Sequence, residues 1–409
     1  MTGGGAVGGW GGAKRIDLGR RAIGDGCPTY IIAEAGVNHN GSLEQALALV
    51  DAAAECGADA VKFQWFTADA LVTRAAPLAA YQRDGTSDPG ARMGAPGEPR
   101  DSCRQAGRSA RAGSPSSPRP PVGRGRSAGR LAWAPPGDQH EMLRRLELGA
   151  DAFHTIARHC RQRGIDFLAT PFSVEALAAY AAIRPPAVKI ASTDIVNHPL
   201  LQRAASIGLP LLVSTGACTF DELERSVRWL ADWGALERTV LLHCVSAYPT
   251  PIDRANVAAV SGLRGRFHVL VGYSDHTTST LTGGWAVACG ASVVEKHLTL
   301  DRSAEGPDHA MSLDPAGLRE YVAHAREAGR ALGDGVPGMS EVEQDVRAVA
   351  RRSVVAAVDL PAGAVLTAEV LAVKRPGGGI EPAELDHLIG RRLTAPVAAD
   401  EPLSWQVVR

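Results

Sequence analysis

From Tyr30 to His297 the chain repeats one pattern: a short apolar, β-branched run followed by a stretch whose apolar residues have helical spacing. Eight runs read as strands: Tyr30–Ala35, Ala60–Gln64, Asp166–Thr170, Ala187–Ser192, Leu211–Thr215, Val240–Cys244, Val269–Tyr273 and Ser292–His297. Helical patterns separate most of them, among them Leu43–Cys56, Ala152–Arg163, Phe220–Trp233 and Thr282–Cys289. The stretches "CGADAVKF" and "CGASVVEKH" show the same helix–glycine–strand joint twice. Such alternation predicts a parallel sheet. Eight is the number of strands that closes an α/β (β/α)8 TIM barrel.

The strand ends favour a barrel over an open sheet. Read to their C-terminal edges, the runs finish in Glu34, Lys62, Thr170, Lys189 with Ser192, Ser214, His243, the Ser274–Asp275–His276 run, and Glu295 with His297. An open doubly wound sheet needs polar strand ends only near its switch point. A barrel brings all eight to one mouth. Lysine sharpens the reading: only five of 43 basic residues are lysine, and Lys62, Lys189 and Lys296 sit at or beside strand ends. A compact ammonium differs from a planar guanidinium in what it can bind.

Two regions break the rhythm. Residues 87–137 hold nine Arg, no Lys and three acidic residues among Gly, Ser and Pro. Without periodicity they cannot supply a core, and they read as a disordered insertion in the loop after the second strand. The last ~65 residues, about the smallest size expected to fold alone, have short β-like runs and tight glycine turns. They form a small β-rich module beyond a linker near Gly333–Glu343. The expected organisation is a flexible 1–14, a barrel over 15–340 and the module over 341–409.

The formal net charge is −1, which gives no global attraction to nucleic acid or an anionic membrane. No apolar run approaches the ~20 residues of a membrane span, and the N-terminus lacks an apolar core of signal-peptide length. Seven scattered cysteines without a C-x-x-C pair suggest neither a disulfide framework nor a cysteine zinc site. A cytoplasmic protein is expected.

Specificity enters with "YIIAEAGVNHNGSLEQALALVDAAAECGADAVKFQ", "FLATPFS", "VKIAS", "LLVSTG", "LLHCVSAYPTP", "GYSDHT" and "EKHLTLDRSAEGPDHAMSLDP". Together these motifs resemble the N-acetylneuraminate (sialic acid) synthase family, from about residue 14 to the end apart from 87–137. The C-terminal "VKRPGGGI" is similar to that family's antifreeze-like (SAF) domain. The resemblance implies condensation of phosphoenolpyruvate with an N-acyl amino sugar, such as N-acetylmannosamine or a diacetamido-trideoxyhexose, to a nonulosonic acid and phosphate.

The residues support that chemistry. A substrate carrying phosphate and carboxylate needs cations and donors on rigid strands, and Lys62, Lys189, Ser192 and Ser214 form such a cradle. Thr170 and Ser274 are further substrate contacts. His276 and His297 lie 21 residues apart at neighbouring strand ends, beside Asp275 and Glu295, within shared coordination range. Their types leave Mn²⁺, Zn²⁺ and Fe²⁺ open; the resemblance implies a divalent metal, by preference Mn²⁺.

Glu34, in "AEAG", is the candidate for stabilising a cationic centre or relaying a proton near it, the alternative being a barrel-mouth ion pair with one of the lysines. Further roles follow from the resemblance. Glu295, Asp308 and Tyr248 match sugar-side positions, with Glu295 also a catalytic candidate. Ser246 falls where some relatives carry Asn, and His243 reads as structural. Arg375 matches an arginine inserted into the partner subunit's active site, which implies a domain-swapped homodimer. The other readings are a barrel aldolase with Lys62 or Lys189 as a Schiff base and a non-catalytic paralogue or scaffold.

Overall fold

In the computed structural model of the chain, residues 15–79, 82 and 138–409 are described. The expected segments 1–14 and 87–137 lie outside them. The chain divides into two compact units, Met1–Gly333 and Asp334–Arg409. The division falls inside the expected linker, a few residues before the boundary read from the sequence.

The first unit opens with a hairpin, β1 (Arg15–Leu18) and β2 (Arg21–Gly24). Eight parallel strands follow: β3 (Tyr30–Gly36), β4 (Ala60–Trp65), β5 (Asp166–Pro171), β6 (Val188–Ile190), β7 (Leu211–Ser214), β8 (Thr239–Cys244), β9 (Leu270–Asp275) and β10 (Val293–His297). Their order is β5-β4-β3-β10-β9-β8-β7-β6, and the terminal pair β5 and β6 lie side by side, completing a TIM-type barrel. β6 is shorter than the Ala187–Ser192 run the sequence suggested. Its last residues turn into a 3₁₀ segment, Ser192–Asp194.

The helices form where the sequence supplies a cap and an apolar stripe. In Leu43–Glu55, Ser42 Oγ accepts from Gln45 N, and Ala46, Leu49, Val50 and Ala53 bury one face at i, i+3, i+4, i+7 spacing. Gly57, at φ +80°, then takes the left-handed step back to β4. Thr219 and Glu222 form a reciprocal capping box at the start of Phe220–Asp232.

The N-terminal hairpin closes the barrel floor, a role the sequence reading did not assign. Ile16, Leu18 and Ile23 join the inner core with Tyr30, Ile32, Leu168, Leu212, Val240 and Val293, near the strand starts. Between β5 and β6, where no ladder is formed among the described residues, Tyr180 supplies the join. Its hydroxyl accepts from Ala169 N at 3.0 Å and donates to Ala187 O at 2.8 Å.

The second unit pairs β11 (Ser353–Ala356) with β12 (Leu371–Lys374) and adds isolated bridges such as Leu360↔Val397. Its own core gathers Val354, Leu366, Leu388, Leu393 and Leu403.

Candidate active site

The polar strand ends meet in one cavity of ≈ 380 Å³ at the C-terminal mouth of the barrel. Glu34, Lys62, Thr170, Lys189, Ser192, Ser214, Tyr248, Ser274, His276, Glu295, His297 and Asp308 all line it. Strand alternation explains the convergence: on β4 Lys62 and Gln64 face inward, and on β10 Glu295 and His297 do. Arg375 is exposed and belongs to the second unit. His243 is not among the lining residues. Its Nε2 meets Ala255 O at 3.0 Å and its ring stacks on Tyr273.

One half of the cavity is a buried charge network. Lys62 Nζ lies 2.5 Å from Glu34 Oε2, 3.7 Å from Glu295 Oε1 and 3.0 Å from Thr170 Oγ1. Lys189 Nζ donates to Ser214 Oγ at 2.8 Å and lies 3.7 Å from the same Glu295 oxygen, which also accepts from Ser274 Oγ at 2.9 Å. Glu295 Oε2 is buried without a hydrogen-bond partner. Burial raises the Glu34 carboxyl to about 7 against the pull of Lys62, with Glu295 adding repulsion. Burial also works to raise Glu295, but Lys189 and Lys62 outweigh it and hold that carboxyl below its usual value. Burial lowers Lys189, only partly opposed by Glu295.

The other half holds the histidines, with ring centroids 5.4 Å apart and the Tyr248 ring 4.3 Å from His276. His276 Nδ1 is 2.7 Å from Val245 O, an arrangement that fixes the ring and, in the neutral imidazole, makes Nε2 the lone-pair nitrogen; burial works to lower this group, but Cys244, Val245 O and Glu295 raise it to about 9. His297 Nδ1 is buried without a hydrogen-bond partner, 3.8 Å from Asp308 Oδ2. Burial, with His276 and the lysines, holds His297 well below its ordinary value and therefore neutral. Burial raises Asp308 to about 6. Among the described residues no group of three or more His, Cys, Asp or Glu has metal-binding spacing. The nitrogen donors the cavity offers a cation are the two imidazoles, whose rings face each other across it.

Gln64 and Cys244 are among the lining residues that escaped the sequence reading. Gln64 follows Lys62 by two positions on one strand face, so period-two alternation alone could have found it; its Nε2 lies 3.4 Å from Glu34 Oε1. Cys244, the inward residue beside outward His243, places Sγ 3.7 Å from His276 Nδ1 and 3.3 Å from Ser192 Oγ. An apolar wall of Leu71, Val72, Met142, Leu143 and Phe172 completes the mouth.

The barrel gathers two buried lysines, two buried glutamates and two facing histidines at its C-terminal mouth, the face on which barrel enzymes carry their active sites. The chain matches the NeuB family over residues 49–94 and 130–337 and the SAF domain over 351–409. The N,N'-diacetyllegionaminic acid synthase of Legionella pneumophila is 35% identical over 97% of this chain and 99% of its own length. That of Campylobacter jejuni is 33% identical over 91% of this chain and 98% of its own. The N-acetylneuraminic acid (sialic acid) synthetase of Leptospira borgpetersenii, solved with citrate, superposes with a TM-score of 0.63 at 28% identity, covering 82% of this chain and 96% of that one. This chain belongs to the NeuB family and carries an SAF domain at its C-terminus.

Proposed function

We propose that the protein condenses phosphoenolpyruvate with an N-acyl amino sugar to give a nonulosonic acid and phosphate. The observation that carries this reading is one cavity with Lys62 and Lys189 on one side and His276 and His297 on the other. The lysines, with Thr170, Ser192, Ser214 and Ser274, bind the phosphate and carboxylate as charge-assisted partners. His276 and His297 would hold a divalent cation, by preference Mn²⁺, which supplies Lewis-acid polarisation of the sugar's open-chain aldehyde.

In the reaction, C3 of phosphoenolpyruvate bonds to the aldehyde carbon, water adds at C2, and the tetrahedral centre releases phosphate by C–O cleavage. Glu34, facing Lys62, can hold a proton at Oε2 near neutral pH or oppose the positive charge that develops at C2. Glu295, 3.7 Å from each ammonium, favours the charged form of both lysines and orients them. Tyr248 and Asp308 contact the sugar. Two relatives named for N,N'-diacetyllegionaminic acid support a diacetamido-trideoxyhexose over N-acetylmannosamine. We assign Arg375 to the sugar side of the partner subunit's barrel in a domain-swapped homodimer.

The experiment is phosphate release from phosphoenolpyruvate across a panel of N-acyl amino sugars. No release with any of them would leave a non-catalytic scaffold. A Schiff-base aldolase is the second reading, favoured by one observation: burial lowers the Lys189 ammonium toward a nucleophilic amine. Borohydride trapping of a covalent adduct at Lys189 would select it.

A further inference from the structure

Lys296, a lysine at a strand end, does not enter the cavity. On β10, Glu295 and His297 face inward and Lys296 faces outward; on β9 and the turn after it, Ser274 and His276 face inward and Asp275 outward. Lys296 and Asp275 are opposite each other in the parallel register, on the last paired rung of the two strands that carry the histidines. Their side chains form an ion pair, Nζ to Oδ2 2.9 Å, closed to solvent.

The pair encloses His276. Lys296 Nζ also donates to Thr277 O at 2.5 Å and lies 3.3 Å from Thr277 Oγ1, so one ammonium binds the residue before His276 and the residue after it. Asp275 Oδ1 accepts from Thr277 N at 2.8 Å, tightening the same turn. Thr282 donates to Asp275 Oδ2, and the Tyr321 ring lies 5.2 Å from the ammonium. An ion pair this deeply buried adds little stability over packed apolar side chains, because both charges lose their water. What it adds is a fixed geometry.

We propose that Lys296 is a positioning residue: paired with Asp275, it fixes the backbone on both sides of His276 against the end of β10 and so sets the spacing of His276 and His297. The inference rests on the proposed cation site at those histidines. Residues that orient metal ligands from behind typically change metal affinity by ~10–100-fold when lost. The Asp275→Asn/Lys296→Met double variant removes both charges together. It avoids the unpaired buried carboxylate that Lys296→Met alone would leave, while Asn keeps the acceptor for Thr277 N.

The test titrates the metal-free full-length protein with Mn²⁺, reading free Mn²⁺ by electron paramagnetic resonance, alongside thermal unfolding of the metal-free proteins. The expected result is a double variant with near-wild-type Tm and Mn²⁺ affinity weakened by ~10–100-fold. Unchanged affinity with unchanged Tm overturns the positioning role and leaves the cation site standing. A double variant that fails to fold also overturns it, since the pair would then serve the fold itself. Wild-type protein that binds no Mn²⁺ removes the cation site and this inference together.

Discussion

Lys62 and Glu34, on neighbouring strands of the barrel, meet through a 2.5 Å Nζ–Oε2 contact with both side chains almost closed to solvent. The cation best placed for an anionic substrate is thus already engaged by a carboxylate. On the proposed function phosphoenolpyruvate competes with Glu34 for Lys62, while Lys189 is held by Ser214 and only distantly by Glu295. Binding therefore exchanges partners within a closed charge network, and each lysine has a separate signature.

Lys189→Ala removes a charge-assisted contact worth ~1.5–3 kcal/mol, which corresponds to about ten- to a hundred-fold in affinity. The expected outcome is a rise of that size in KM for phosphoenolpyruvate with a much smaller change for the sugar, measured by steady-state kinetics. A rise confined to the sugar would place Lys189 on the other substrate.

Glu34 gives a pH signature. Its carboxyl is raised from 4.5 to about 7, chiefly by burial. A carboxyl raised on folding stabilises the native state fully below its unfolded value and loses that contribution as pH rises through the folded value. The metal-free wild type should therefore lose stability relative to Glu34→Gln between about pH 4.5 and 7, and the gap should level off above that range. Denaturant unfolding of both proteins across this range checks it; parallel curves would remove the raised carboxyl.

Tyr180 joins β5 to β6, the strand that carries Lys189. Tyr180→Phe leaves Ala169 N and Ala187 O without that partner in a dry seam, at a cost of about 1–3 kcal/mol. Chemical denaturation measures this directly. A variant as stable as wild type would show that the seam holds without the hydroxyl.

The barrel was legible because two periodicities coincide: eight apolar runs set the strands, and their inward-facing polar ends set the mouth. Glu34, Lys62, His276 and His297 stood out because charged side chains at strand ends have few uses other than the cavity. Gln64 and Cys244 did not, being an uncharged amide one turn of the pleat beyond Lys62 and a thiol of a type usually buried in cores. The hairpin at Ile16–Ile23 was missed because four-residue strands carry almost no periodic signal and its plugging role exists only once the barrel has closed. Lys296 was flagged as a strand-end lysine, but its outward direction depends on register, which one sequence does not set.

The assignment of Arg375 to a partner subunit predicts complementation. Arg375→Ala should raise the KM of the sugar by about ten- to a hundred-fold, the size of a lost charge-assisted hydrogen bond, and Glu34→Ala should be nearly inactive. Mixed dimers would hold one site with both residues intact and one with neither, so activity should return. Free subunit exchange without recovery would place the arginine's action within its own chain.

The central claim is a condensation in which the cavity joins two substrates, and its most direct measurement is the stoichiometry of products. Metal-free protein is incubated with phosphoenolpyruvate and a diacetamido-trideoxyhexose, before and after addition of Mn²⁺, and both phosphate and 2-keto acid are quantified. The account predicts no turnover until the metal is supplied, then phosphate and nine-carbon 2-keto acid in equal amounts, dependent on the sugar. Equal turnover by verified metal-free protein, or phosphate released without a sugar-derived keto acid, would contradict it.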